Sequence, residues 1–141
     1  VVGDGPERDA LAARPHVTLL PYQSYDRLGR YYRAADVGVW PTNESTSALD
    51  AAACGLPLIV SDGIVYRDHV EGNGLVYRMS DLGSLVATLA SLADTDRRAM
   101  LGAAGARKMA AQFSWLSHAR RRLAEYEAAV GKDPPAASTR S

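Results

Sequence analysis

The sequence predicts an α/β fold, an open and doubly wound parallel sheet, and three observations carry that prediction. Short apolar runs alternate with helix-length amphipathic stretches along most of the chain. Glycine and proline punctuate the joints, as in Gly5-Pro6 and Gly55-Leu56-Pro57. The composition supports a real core: of 141 residues, 47% are hydrophobic and 23% charged, which suits one globular unit. Strand, helix, strand at this spacing requires right-handed crossovers and hence parallel pairing.

The elements follow in order. Val1-Val2 reads as a strand end, and PERDALAAR as a helix with Pro6 near its first position and Pro15 closing it. VTLL is the next strand and SYDRLGRYYRAA the next helix. DVGVW is a strand that runs into Pro41 and NESTS, and STSALDAAACG is a helix whose Ala48, Ala51, Ala52 and Ala53 let it lie close to the sheet. Gly55 and Pro57 stop that helix before the buried strand LIVSD. A short irregular stretch, the strand GLVY and the helix DLGSLVATLASLAD come next.

From about Asp94 the strands cease and two long helices follow. In the second, Leu116, Ala119, Leu123, Tyr126 and Val130 recur at 3-4-3-4 spacing, a stripe that calls for burial. The domain is thus expected over residues 1–130, with KDPPAASTRS in 131–141 as a disordered tail or linker. The chain opens on Val1-Val2-Gly3 rather than on Met, inside a strand end, and reads as a fragment truncated at its first strand.

Lys plus Arg and Asp plus Glu both number 16, so no global field favours nucleic acid, and a bound partner is expected to be small. Cys54 stands alone and no Cys/His cluster has zinc spacing, so no metal is expected. With no transmembrane run or signal pattern, the reading is a cytoplasmic protein. Arg120, Arg121 and Arg122 offer peripheral contact to membrane phosphates, against the simpler reading of a solvated helix face.

Two stretches have the chemistry of an anion site. VVGDGPER places glycines at a strand-to-helix turn, where amides approach a phosphate. However, Arg8 replaces the third glycine of a dinucleotide fingerprint and only Asp26, inside a helical pattern, lies about twenty residues on. The competing reading is a tight turn with Asp4 capping the helix at Pro6.

The second stretch, NESTS, sits where a parallel strand ends and a helix begins, with the amides of Ser45, Thr46 and Ser47 backed by the helix dipole. Asp50 would face the ligand about a turn inside. Alternatively, Ser47 and Asp50 form a capping box, and the residues leave these two readings even. His16, His69 and His118 share no spacing, His69 being the nearest to the ligand side; Cys54 reads as a small apolar packer, and Trp115 and Tyr126 as core or interdomain packing.

Five motifs in order then carry a resemblance. VVGDGPERDAL, VTLLPY, YYRAADVGVWPT, the Asp50–Ser61 run DAAACGLPLIVS, and GNGLVY, followed by Ala106-Arg107 and Phe113-Ser114-Trp115, resemble the carboxy-terminal, donor-binding half of a family-4-type retaining GT-B glycosyltransferase. The likeness extends to about Val130 and implies a Rossmann-like domain that binds a nucleotide-diphosphate sugar without a metal cofactor.

The resemblance implies that Asp50 hydrogen-bonds the donor ribose and that Glu44, Ser45, Thr46 and Ser47 hold the diphosphate and sugar. Tyr22 and Gln23 frame the base, and Gly3, Asp4 and Gly5 supply loop contacts. Thr42 departs from the family, standing where its first glutamate belongs, and Glu44 is the nearest substitute. The acceptor, a glycan, lipid or small molecule, would bind an amino-terminal domain outside this chain, so this stretch alone is expected to be inactive.

The missing strand would sit centrally, leaving a gap between VVGDG and DVGVW and an isolated chain of poor stability. The rivals are a GT-B epimerase or sugar-phosphate synthase, a non-catalytic pseudo-transferase motivated by Thr42, and a dinucleotide oxidoreductase, against which Arg8 argues.

Overall fold

A computed structural model describes residues 1–41 and 45–130 of the chain. At its centre is β2, Leu58–Ser61, buried at every position, as a strand covered on both faces must be. It pairs in parallel with β1, Gly38–Trp40, on one side and β3, Gly74–Tyr77, on the other, giving the order β1-β2-β3. The register sets Val39, Ile59 and Leu75 side by side, and Trp40, Val60 and Val76 on the opposite face.

The two faces collect different layers. Leu58 and Val60 pack with Ala48, Ala51 and Ala52 of α3, Thr46–Ala53, and with Met109. Ile59 packs with Tyr77, Leu92 and Leu101, joined by Leu85 of α4, Leu82–Ala90. The small residues of α3 bring it close to the sheet as the sequence implies.

Its end explains the Cys54-Gly55 pair. Gly55 adopts φ +82°, with Leu56 N–H donating to Ala51 O at 3.1 Å and Gly55 N–H to Ala52 O at 3.0 Å, a Schellman closure. α5, Thr95–Lys108, crosses this closure so tightly that a Cβ on Gly102 would lie 2.0 Å from Gly55 O.

The expected strands at VVGDG and VTLL shrink to a single parallel bridge, Val2 to Leu20, and among the described residues no strand pairing joins it to β1. The sheet is divided where the sequence predicts a gap. α1 is reduced to Arg8–Ala12 and buries nothing. Asp4 does not cap it, in contrast to the turn-and-cap reading: Glu7 occupies the N-cap without a side-chain bond, because the Asp4 carboxylate is held by Arg8 and by the amide of Tyr22.

α2, Tyr25–Ala34, runs back to β1 and sends Tyr32 into the α3 layer. Between β2 and β3 the chain makes a 3-10 turn at Arg67–His69, anchored by Lys108 Nζ donating to Asp68 O and Glu71 O.

The two long carboxy-terminal helices are present. α5 passes through a π turn at Met109–Phe113, breaks at the extended Ser114, and resumes as α6, Trp115–Val130. The burial expected of the α6 stripe is not found: Leu116, Leu123, Tyr126 and Val130 are all exposed, and Trp115 is 90% exposed rather than in the core. Past the π turn, its main packing partner among the described residues, the helix leaves these apolar side chains open to solvent. Residues 131–141, read as tail or linker, lie outside the described residues.

Candidate functional site

The carboxyl ends of β1 and β2 open toward the start of α3, the side on which open parallel sheets hold ligands. Where the chain leaves β1, the Tyr77 hydroxyl donates to Pro41 O at 3.1 Å, so β3 fixes the exit of β1 from across the sheet. Thr42 and Glu44 lie outside the described residues.

Ser45, not Ser47, is the N-cap of α3. Its Oγ accepts from Ser47 N–H at 3.2 Å and lies 2.7 Å from Ser47 Oγ, which in turn accepts from Trp40 Nε1 at 3.0 Å. This chain of bonds locks the two serines to the end of β1. It also occupies the Ser47 amide from within, so an anion there would displace the cap.

The capping-box reading therefore fails. Asp50 is the fifth residue of α3, too deep to reach back to the N-cap amide. Its Oδ1 accepts instead from Tyr25 Oη at 3.1 Å. This hydrogen bond, followed by the Asp50 charge, raises the Tyr25 phenol above its ordinary pKa. Burial first, and the same carboxylate second, raise that of Tyr32. Tyr25 thus stays a protonated donor to this carboxylate, and Tyr32 feels it through its charge.

Asp50, Tyr25, Thr46 and Leu49 form one wall of an open cleft of about 900 Å³, and Phe113, Trp115, His118 and Arg122 form the other. Sequence reasoning missed Tyr25, Trp115, His118 and Arg122 as site neighbours. The α6 positions 115, 118, 119 and 122 share one helical face, but nothing in the sequence shows that this face turns back toward α3.

The loop residues form a second group. Tyr22 N–H donates to Asp4 Oδ2 at 2.7 Å, while Asp4 Oδ1 pairs with Arg8 at 2.7 Å and Arg8 also donates to Gly3 O. Arg8 therefore closes the Gly3-Asp4-Gly5 turn from inside, and Asp4 ties it to the Tyr22-Gln23 segment. Gln23 is held between its own loop and α2, donating to Pro21 O and accepting from Tyr31 Oη.

The histidines are dispersed. His69 stacks on Tyr66 and meets Phe113 edge-on, His118 Nδ1 lies 2.8 Å from Arg121, and His16 takes a left-handed turn conformation. Of the three arginines, Arg121 thus contacts His118 and Arg122 pairs with Glu125 at 3.3 Å. Cys54 is a partly buried free thiol. Among the described residues no helix is long and apolar enough to cross a membrane, and no group of three His, Cys, Asp or Glu is arranged to hold a metal ion.

This geometry has known counterparts. Residues 1–95 match the family described as "Glycosyl transferases group 1". The chain is 38% identical over 112 residues to D-inositol 3-phosphate glycosyltransferase of Salinispora arenicola, covering 75% of this chain and 25% of that protein. To the protein of the same name from Mycolicibacterium smegmatis it is 33% identical over 135 residues, covering 86% and 29%.

In fold it is similar to sucrose-phosphate synthase from Thermosynechococcus elongatus, with a TM-score of 0.78, 26% identity, and coverage of 92% of this chain and 37% of that one. The chain spans about a quarter of the length of the curated relatives it matches. With a Rossmann-like parallel sheet of the GT-B kind and a family match over residues 1–95, the chain belongs to the glycosyl transferases group 1 family.

Proposed function

We propose that this domain holds the donor in a retaining glycosyl transfer from a nucleotide-diphosphate sugar to an acceptor hydroxyl. The observation that carries the reading is Asp50: a carboxylate on the ligand side of the sheet, free of any capping duty, set in the wall of a cleft of about 900 Å³. Asp50 takes the ribose hydroxyls, a task in which an ionised acid accepts two bonds at once. The start of α3 at Ser45, Thr46 and Ser47, with Glu44 preceding it in the sequence, takes the diphosphate and sugar, the anion displacing the Ser45 cap from the Ser47 amide. Tyr22 and Gln23 border the base.

In the transfer, the bond from the acceptor oxygen to the anomeric carbon forms on the face from which the diphosphate oxygen departs. The acceptor proton passes to the leaving phosphate. Charge therefore accumulates on the phosphate, and helix-end amides stabilise charge of that sign.

The test is calorimetric titration of the full-length protein, wild type and Asp50→Ala, with UDP, GDP and ADP. One nucleotide is expected to bind, and the substitution to weaken it tenfold or more, about 1.4 kcal/mol. A folded wild-type protein that binds none of the three would overturn the reading.

A further inference from the structure

Tyr25 is the first residue of α2, behind the extended Ser24 at the N-cap. A tyrosine placed there for packing would bury its ring, yet this one is 73% exposed and spends its hydroxyl on a single bond, to Asp50 Oδ1 at 3.1 Å. Both side chains line the same cleft. The bond joins residues 25 positions apart, so it reports tertiary placement rather than local helix chemistry.

A carboxylate has two oxygens and about four acceptor sites. Tyr25 holds one oxygen, which fixes the rotation of the group and leaves the other to a ligand. A phenol that has donated its proton still accepts, so its own oxygen adds an acceptor beside the carboxylate. A phenol is protonated throughout the neutral range, and the bond to Asp50 raises its pKa further, so the donor stays in place.

We propose that Tyr25 and Asp50 act as one unit that recognises a vicinal diol, the ribose hydroxyls of a nucleoside diphosphate, with Tyr25 orienting the carboxylate and accepting from one hydroxyl. The inference rests on the Asp50 reading above and extends it to a residue on a different helix.

Tyr25→Phe removes the hydroxyl and keeps the ring, and at an exposed position it leaves the thermal melt unchanged. The full-length protein is titrated with UDP, GDP and ADP, and with the 2′,3′-dideoxy counterpart of whichever binds. Tyr25→Phe is expected to weaken the ribonucleotide roughly three- to tenfold and to leave the dideoxy form as in wild type. Equal weakening of both forms, or no change in either, overturns the proposal.

Asp50→Ala separates the two levels. If it weakens the ribonucleotide while Tyr25→Phe does not, only the role of Tyr25 falls. If Asp50→Ala has no effect, the Asp50 reading falls and takes the diol unit with it.

Discussion

β2 buries all four of its residues between two layers, whereas from Val1 to Leu20 no residue is buried at all. The first region is held by apolar area on both faces of a strand. The second is held by polar contacts: the bridge at Val2 and Leu20, and the Asp4 carboxylate on Tyr22 N–H and Arg8. Polar contacts near water contribute little net stability, since the unfolded chain makes equivalent bonds to solvent. The same fold thus contains a region held by burial and a region whose order depends on polar geometry rather than on burial.

The strongest way to break this comparison is to strike the buried region where it has no room. Gly102→Ala drives a methyl group onto Gly55 O and is expected to cost about 3 kcal/mol in denaturant unfolding, while Val2→Ala costs about 0.5 kcal/mol or less. Similar losses from both would erase the distinction.

Asp4→Ala sharpens it. The expected outcome is faster amide exchange at Tyr22, a local loss of about 1 kcal/mol, with the global melt unchanged. A drop in global stability of the same size would show that the amino-terminal piece folds with the core.

The smallest expected effect is electrostatic. Asp81 caps α4, and the Ser84 N–H first, with Arg78 as a further partner, holds its carboxyl below the ordinary value of 3.8. Such a group stabilises the fold above the unfolded pKa, and that contribution is lost as pH falls through the folded pKa. Asp81→Asn is therefore expected to lower stability at pH 7 and to flatten the acid limb below about pH 4, measured by denaturant melts across that range. Parallel acid limbs in the two proteins would refute it.

Much of this was legible in the sequence, for physical reasons. The continuous apolar run of LIVS announces a strand covered on both faces, and the alanines of α3 announce close approach to it. Gly55 announces a helix end because few other residues take its backbone conformation without strain. The order of the elements predicted the parallel sheet, and the resemblance to the GT-B family implied its division.

The failures share a cause. Ser45 and Ser47 are both good caps, and periodicity does not say which of two hydroxyls two positions apart starts the helix; the indole of Trp40 helps settle it by bonding Ser47. Asp4 looked like a cap, yet a residue 18 positions away claims it. The exposed α6 stripe obeys the helical period faithfully, but period specifies that a face exists and not what lies against it. Tyr25 was invisible as a site residue because its partner is on another helix.

The tight crossing of Gly102 over Gly55 also sets the topology of unfolding. The two residues close a chain segment that contains β2, the Lys108-anchored turn, β3 and α4. Loop closure of this kind is an entropic cost met once, and everything inside the loop then shares the gain. Parting that crossing releases α5 from α3 and frees the enclosed strands together. β2, the Lys108-anchored turn, β3 and α4 should thus open as a single cooperative unit rather than fray element by element.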